Sequence, residues 1–248
     1  MILLIDIGNS RIKWAILQDN KFQFENAVFY KNQTLATVFN NCFATYVKPA
    51  AVLVANVAGQ KMSEALNAWL ISTWNLTAQF IQAQPSYLGF TLAYGEAAEF
   101  GWDRWVALVA LWHEYKKPLC LMGCGSALTF DAVDATGKHL GSLIAPGLHL
   151  QRNSIITQLS GCKLPESTPF SIKQGLGLST TEAIIQGIVR MSGSFLNSNL
   201  EKYRKILGPE TIAVITGGDA EILIPLINPV PILRPYLVLE GLKLFYKL

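Results

Sequence analysis

The residues best suited to chemistry lie at the start of the chain, in a polar turn that follows a short apolar run. Residues 1–5 (MILLI) are typical of a buried strand, and the turn begins at Asp6. A strand that opens into a small, glycine-containing turn brings backbone N–H groups close to a phosphate in many folds. Gly8 allows close approach, Lys13 neutralises phosphate charge, and Asp6 suits a divalent cation that bridges phosphate oxygens. The stretch therefore predicts a magnesium-nucleotide site.

The same residues are also compatible with a purely structural turn. An Asp-x-Gly-Asn string after a strand makes a good tight hairpin, in which Asp and Asn form local side-chain hydrogen bonds and Gly takes a positive φ. The other motifs of the chain have to separate these two interpretations.

A second group of chemistry-bearing residues begins at Gly101. Residues 105–112, which follow it, are apolar on nearly every face and predict a helix buried in a core or at a subunit interface. Asp is a preferred N-cap residue, so Asp103 has a structural interpretation at the start of this helix. In the functional interpretation, Asp103 orients a substrate hydroxyl during group transfer while Arg104 holds an anionic substrate group. Both interpretations can hold for one residue.

Two more glycine turns lie in the second half of the chain. The first contains Gly125 and Ser126, follows the apolar residues 118–122, and stands 117 residues after the opening turn. Similar strand patterns follow both turns, which predicts an internal duplication. The later of these two turns contains the pair Gly217 and Gly218. It is either a tight strand-to-helix turn or a place where the backbone approaches a flat ligand such as a purine.

An alternation of strands and helices has to position these turns. Hydrophobic spacing predicts strands and helices in the order β-β-β-α-β-α-β for the first third, at residues 1–5, 12–17, 22–29, 35–43, 51–56, 59–73 and 78–81. Residues 82–99 predict a long irregular loop with exposed aromatic side chains at Tyr87, Phe90 and Tyr94. The order is typical of an α/β layer architecture with a mixed sheet.

The second half repeats strands before its helices. Strands are predicted at 118–122, 127–133, 140–144 and 212–216, and helices at about 145–159 and 179–203. Ser179 followed by Glu182 forms a capping-box pattern at the start of the long helix.

Composition narrows the class of protein. Only 15% of the 248 residues are charged and 51% are hydrophobic, whereas soluble domains carry about 25% charged residues. The excess of apolar residues predicts an oligomer. A net charge of +3 with scattered basic residues argues against nucleic-acid binding. Without a leader pattern or an apolar run of about 18 residues, we expect no membrane association and a soluble, cytoplasmic protein.

The cysteines and histidines indicate no further catalytic or metal centre. The cysteines are too few and too irregularly spaced for a disulfide framework or a zinc site, and we expect buried thiols. They are Cys42, Cys120, Cys124 and Cys162. The three histidines stand apart from any Ser or Cys nucleophile pattern, so no hydrolase triad is predicted. They are His113, His139 and His149.

Taken in order, the motifs resemble those of the actin-like ATPase superfamily, and in particular of the type III pantothenate kinases. The resemblance covers nearly the whole chain. It rests on residues 6–13 (DIGNSRIK), 101–104 (GWDR), 125–129 (GSALT) with Asp131, 145–147 (APG), 179–183 (STTEA) with Gly187, and 216–219 (TGGD). It implies two ribonuclease H-like (actin-like ATPase) domains of duplicated β-β-β-α-β-α-type pattern, residues 1–116 and 117–248, with the active site in the cleft between them.

The resemblance also implies a transferase activity: ATP-dependent phosphorylation of pantothenate to phosphopantothenate, the first step of coenzyme A biosynthesis. Asp103 would be the catalytic base, and Asp6 would lie on the magnesium side of ATP. The implied ATP-binding residues are Asp6, Ile7, Gly8, Asn9, Ser10, Arg11, Ile12, Lys13 and Ser126. The implied substrate-binding residues are Tyr94, Gly101, Trp102, Asp103, Arg104 and Thr180. Thr180 would come from the neighbouring subunit, which implies a homodimer with shared active sites.

The chain departs from the family pattern at the second turn. Many members carry an aspartate that binds a monovalent cation at the position of Gly123, and the usual threonine of the turn is Ser126. A double glycine of the family is replaced by Gly141 and Ser142. The missing ligand predicts that this chain depends less, or differently, on potassium or ammonium.

Two other functions remain open from the sequence. Some chains of this family were first described as accessory factors for transcription, so a catalytically weak nucleotide-binding regulatory protein is the alternative. The altered second turn favours it, whereas intact Asp6, Lys13, Asp103 and Arg104 favour a kinase. A polyphosphate or nucleotide phosphatase of the same fold would need a water-orienting Glu, for which the sequence offers no candidate.

Overall fold

The computed structural model describes residues 1–159, 164, 165 and 167–246, with only the backbone described at residues 24–26. The chain divides into two units. The first contains Met1–Glu114 and the last residues from Tyr236 onward, and the second contains Tyr115–Pro235. Each unit is described by itself.

The first unit is built on a five-stranded sheet whose central strand carries the opening apolar run. Its strands are β1 (Ile2–Ile7), β2 (Arg11–Gln18), β3 (Lys21–Phe29), β4 (Ala51–Asn56) and β5 (Gln79–Phe80), in the order β3-β2-β1-β4-β5. Strand β1 pairs antiparallel with β2 and parallel with β4. Because β1 has neighbours on both edges, all its residues except Asp6 are buried.

Two helices cover this sheet, α1 (Leu35–Phe43) and α2 (Gln60–Trp74). Thr34 caps α1, since its side chain accepts a hydrogen bond from the N–H of Thr37. The buried faces of both helices contribute to an aromatic core whose ring centroids lie 5.1 to 6.4 Å apart. The rings belong to Trp14, Phe39, Phe43, Trp69 and Trp74.

The segment between β5 and the next helix differs from its prediction. Instead of a wholly irregular loop, β6 (Ser86–Tyr87) and β7 (Phe90–Thr91) form a small hairpin. The prediction of exposed aromatic side chains was wrong. Phe90 is fully buried, Tyr87 stacks on Phe245 at 4.8 Å, and Tyr94 is only partly exposed. The apolar partner of Tyr87 lies near the far end of the chain, where local patterns cannot reveal it.

Helix α3 (Trp102–Tyr115) follows, and its residues from Trp105 to Trp112 are all buried. Its packing partners include a helix from the last residues of the chain, α7 (Leu237–Leu242). A Cβ at Gly241 would lie 2.7 Å from the carbonyl oxygen of Val106, so the two helices touch closely. The sequence predicts that these last residues belong to the C-terminal domain, and it indicates no helix there. The structure groups them with the first unit.

The second unit repeats the sheet of the first. Its strands are β8 (Leu119–Cys124), β9 (Ala127–Val133), β10 (His139–Pro146), β11 (Ile212–Thr216) and β12 (Ile232–Leu233), in the order β10-β9-β8-β11-β12. Strand β8 pairs antiparallel with β9 and parallel with β11, as β1 does with β2 and β4. Both ends of β8 lie 117 residues after those of β1. The duplicated α/β pattern predicted from the sequence is confirmed.

The described part of the second unit also contains the helices α4 (Leu148–Gln158) and α5 (Thr180–Leu207) and the short helix α6 (Ala220–Leu223). Helix α5 buries one apolar face, including Ile188, Leu196 and Leu200, against the same face of the sheet as α6. Ser179 is its N-cap, because Ser179 Oγ accepts a hydrogen bond from the N–H of Glu182 at 3.2 Å. The Glu182 carboxylate accepts from the N–H of Leu178 rather than closing a full capping box.

The cysteines that the structure describes are free and buried, as expected. Burial raises the pKa of the Cys120 and Cys124 thiols to about 12. Cys162 lies outside the described residues. Within the described part of the chain, no helix has the length and apolar character needed to cross a membrane.

Candidate active site

The opening turn joins β1 to β2 and is braced from β3. The N–H of Gly8 donates to the carbonyl oxygen of Arg11 at 3.0 Å, and the Tyr30 hydroxyl donates to the carbonyl oxygen of Gly8 at 2.8 Å. Gly8 does not take a positive φ, and a Cβ there would make an ordinary contact at 3.5 Å. The hairpin therefore does not require glycine at this position, whereas close approach of a ligand would explain it.

Asp6 and Lys13 face each other across this hairpin, as partners in the register of β1 and β2. Asp6 keeps some exposure to solvent, but its removal from water on folding is still the main reason that its pKa is raised to about 7, and the negative charge of Asp103 raises it further. The positive charge of Lys13 acts in the opposite direction. The structure thus brings together three predicted site residues from the first and second chemical motifs.

Two carboxylates that repel each other fit a divalent cation. Mg²⁺ bound together with a nucleotide uses one or two carboxylates, and phosphate oxygens and water complete its octahedron. Among the described residues, no cluster of three or more His, Cys, Asp or Glu side chains could hold a metal ion alone. Asp6 can therefore supply one carboxylate to a Mg²⁺ ion that arrives with ATP.

Asp103 lies in the first turn of α3, and its carboxylate turns back towards Gly101. Its Oδ1 accepts a hydrogen bond from the N–H of Arg104 at 2.7 Å. A Cβ at Gly101 would lie only 2.8 Å from that same oxygen. Glycine at position 101 therefore leaves the space that this carboxylate orientation needs.

Phe100, to which the sequence assigned no role, contacts both Arg104 and Tyr94. The Arg104 guanidinium carbon lies 4.3 Å from the ring centroid of Phe100, and Tyr94 packs edge-on against the same ring at 4.9 Å. Phe100 is buried, so it offers the guanidinium a fixed aromatic surface. The Phe-Gly-Trp-Asp-Arg spacing, with an aromatic residue directly before the motif, was the only sequence signal for it.

A cavity of about 630 Å³ lies beside the start of α3 in the first unit, and Gly101 and Trp102 form part of its wall. Polar side chains line much of the rest, including those of Asn56, Gln60, Ser63, Asn67 and Gln82. The size and polarity suit a small hydroxylated substrate.

The second turn contains Ser126, which is partly buried between β8 and β9. Gly123 lies directly opposite Thr129 in the ladder of these two strands. A Cβ at Gly123 would collide with the Thr129 hydroxyl oxygen. The Thr129 hydroxyl takes up the space beside position 123, and glycine offers no carboxylate there, so residue 123 cannot supply the cation ligand implied by the resemblance.

Thr180 is the first residue of α5, is exposed, and lines an apolar cavity between α4 and α5. The cavity measures about 970 Å³. Leu150 and Met191, which also line it, are 51% and 60% exposed. Ser126 does not line this cavity, so the structure leaves these two predicted residues in separate surroundings.

Comparison with known proteins places this chain in a family. The model of the type III pantothenate kinase family matches residues 2–202. The chain belongs to the type III pantothenate kinase family. The type III pantothenate kinase of Nitrosococcus oceani is 36% identical over 248 residues, covering 98% of this chain and 92% of that protein. That of Alcanivorax borkumensis is 31% identical, covering 98% and 97%.

Solved structures show that this pantothenate kinase family member has the actin-like ATPase fold. A Campylobacter jejuni protein assigned to the Baf family of transcriptional activators superposes with a TM-score of 0.58 at 18% identity, covering 97% of this chain and 95% of that one. The activator of 2-hydroxyisocaproyl-CoA dehydratase from Clostridium difficile, solved with bound ADPNP, gives 0.52 at 12% identity, covering 98% and 93%. At these identities the likeness concerns the fold alone.

Proposed function

We propose that this chain is a pantothenate kinase, which transfers the γ-phosphoryl group of ATP to the primary hydroxyl of pantothenate. The observation that carries the proposal is the placement of Asp6, Lys13 and Asp103 together in a chain of this family. In the reaction a bond forms between the hydroxyl oxygen and the γ-phosphorus, and the bond from the γ-phosphorus to the β,γ-bridging oxygen breaks. ADP leaves, and the hydroxyl proton passes to a carboxylate.

The opening turn, residues 6–13, binds the phosphates of ATP in this proposal. Lys13 neutralises phosphate charge, and Asp6 faces the magnesium side of the nucleotide. When bound, the magnesium ion neutralises the charge that develops on the phosphate oxygens. The brace from Tyr30 to Gly8 keeps the turn in place before the nucleotide arrives. Ser126 of the second turn contacts ATP as well.

Asp103 orients the primary hydroxyl of pantothenate and accepts its proton. Its carboxylate is already fixed by the hydrogen bond from the Arg104 N–H, so little reorganisation is needed. Arg104, whose guanidinium lies over Phe100, holds the pantothenate carboxylate. Gly101 and Trp102 line the adjoining polar cavity, and Tyr94 packs against the ring of Phe100. The amide and hydroxyl groups of pantothenate match that polar wall.

We propose that two copies of the chain form a dimer through the apolar surface around the cavity between α4 and α5. Leu150 and Met191 are more than half exposed there, and only 15% of the residues of the chain are charged. Thr180 lines the same surface and would reach pantothenate in the neighbouring subunit.

The dependence on monovalent cations is proposed to be weak. Position 123 has no carboxylate, and the Thr129 hydroxyl takes the adjacent space. We therefore assign no step of the reaction to potassium or ammonium.

The test is ADP formation from Mg-ATP with pantothenate, with a pantothenate analogue that lacks the primary hydroxyl, and with neither. We expect ADP only with pantothenate, accompanied by a product heavier by one phosphoryl group. Nucleotide binding without pantothenate-dependent turnover would contradict the kinase proposal and support the regulatory alternative.

A further inference from the structure

Two glycines from other parts of the second unit enclose one side of the second turn, defined here as residues 124–126. Gly147 lies between β10 and α4, and its N–H donates to the carbonyl oxygen of Ser126 at 3.1 Å. A Cβ at position 147 would collide with the carbonyl oxygen of Gly125 and lie 2.7 Å from that of Ser126. No larger residue fits at position 147 unless this turn or the start of α4 moves.

Gly217 encloses the same turn from the end of β11. It has a φ of 107°, and a Cβ there would collide with the carbonyl oxygen of Cys124 and lie 2.9 Å from the Cys124 nitrogen. Two residues later, the N–H of Asp219 donates to the Cys124 carbonyl oxygen at 3.0 Å. The added Cβ and the N–H of Asp219 both meet backbone atoms of Cys124, so no flexible side chain can move aside to make room.

Among the described residues, the space beside Gly125 in the second turn is open. A Cβ added to Gly125 itself would meet nothing within 4 Å. In a planar trans peptide the N–H points away from the preceding C=O. Because the carbonyl groups of Gly125 and Ser126 face Gly147, the N–H groups of Ser126 and Ala127 point away from it. Successive N–H groups on one side of a turn attract anions.

We propose that Gly147 and Gly217 are positioning residues for ATP. They hold the carbonyl side of the second turn, so that its N–H groups face the phosphates before the nucleotide binds. The proposal rests on the function proposed above, in which Ser126 contacts ATP. A turn that is already ordered loses less conformational freedom on binding, which raises affinity for the nucleotide without a new contact.

The experiment compares Gly147→Ala and Gly217→Ala with Gly95→Ala, an exposed position where a Cβ would meet nothing within 4 Å. The dissociation constant of Mg-ATP is measured by calorimetry without pantothenate, and KM is measured for both substrates. We expect both enclosing variants to bind Mg-ATP about tenfold more weakly, with KM for pantothenate changed less than about twofold. Gly95→Ala should match the original chain.

Unchanged Mg-ATP affinity in either folded variant would overturn the proposal. Equal increases in both KM values, in step with a loss of folded protein, would also overturn it, because they indicate a structural role only. If neither variant folds, hydrogen exchange of backbone amides in the original chain shows whether the second turn is ordered before the nucleotide binds. Slow exchange at Gly147 and Asp219 without nucleotide supports an ordered turn, whereas fast exchange that slows only with Mg-ATP contradicts it.

The two proposals fail in different ways. Mg-ATP affinity is measured without an acceptor, so its loss in the variants does not depend on pantothenate being the substrate. Absence of pantothenate-dependent ADP formation in the original chain would contradict the kinase proposal instead.

Discussion

The carboxylate of Asp103 raises the pKa of Asp6, adding to a larger effect of burial, until Asp6 titrates at about 7. The two residues are 97 positions apart in the sequence. They come together because Gly101, just before α3, lies beside Val57, whose N–H donates to the carbonyl oxygen of Ile7 at the end of β1. An ionised carboxylate in this position makes folding less favourable and makes the binding of a cation more favourable. The ionised Asp6 carboxylate therefore destabilises the folded chain, and binding of Mg-ATP would offset this destabilisation.

Replacing Asp6 by Asn should stabilise the protein without magnesium. The pKa of Asp6 rises from 3.8 to about 7 on folding, so the folded chain binds this proton more tightly than the unfolded chain. The contribution of Asp6 to stability is therefore most favourable below pH 4 and is lost as the pH rises towards 7. We expect Asp6→Asn to raise the free energy of unfolding by at most about 4 kcal/mol at pH 8 and by less than half as much at pH 5.

Thermal and urea unfolding at both pH values would measure this effect. Asp19→Asn, in the exposed turn between β2 and β3, is the matched control and should change little. A destabilised Asp6→Asn at pH 8 would show that the ionised carboxylate is compensated within the folded chain.

Gly101→Ala should lower turnover by displacing Asp103. The added Cβ would lie 2.8 Å from Asp103 Oδ1, and the carboxylate can move away without disturbing the backbone. We expect turnover to fall about tenfold while the protein stays folded and Mg-ATP affinity stays within about twofold. Steady-state kinetics and calorimetry measure the two quantities. Normal turnover would mean that the orientation of the carboxylate is unimportant.

Met191→Lys should weaken the proposed dimer. Met191 is 60% exposed in the apolar surface between α4 and α5, and a buried unpaired ammonium would be costly at an interface. Light scattering over a dilution series should show dissociation at concentrations where the original chain is dimeric. Glu201→Lys, exposed farther along α5, is the control for charge. A monomeric original chain would contradict the dimer directly.

Turnover should depend little on potassium or ammonium. The Thr129 hydroxyl occupies the space next to Gly123, and the position offers no carboxylate. ADP formation would be compared in potassium, ammonium and tetramethylammonium salts, for this chain and for a relative with aspartate at that position. We expect this chain to keep most of its turnover in tetramethylammonium. An equal loss in both proteins would argue against the prediction.

Most strands and turns of both sheets could be predicted because their signals are local, whereas the two-residue edge strand β12 was not predicted. Apolar runs that end at Asp6 and near Gly125 mark β1 and β8, and their similar surroundings indicated the duplication. The burial of Phe90, the helix α7 and the brace from Tyr30 depend on contacts between distant segments. No pattern within a short window contains that information.

The candidate site also combines residues that could be identified from the sequence with features that depend on contacts between distant segments. Asp6, Lys13 and Asp103 were identifiable from residue type and from a family resemblance, and the structure adds their common location. The roles inferred for Gly101 and Gly147 rest on what a Cβ would meet, which depends on folded neighbours. Sequence reasoning could name these glycines as motif members but not explain them.

The most direct test of the central claim is a comparison of the original chain with Asp103→Asn, measuring pantothenate-dependent ADP formation and Mg-ATP affinity in the same preparations. If Asp103 orients and deprotonates the hydroxyl, turnover should fall by about 100-fold or more while Mg-ATP affinity does not decrease. Unchanged turnover would remove Asp103 from the chemistry and contradict the proposed mechanism.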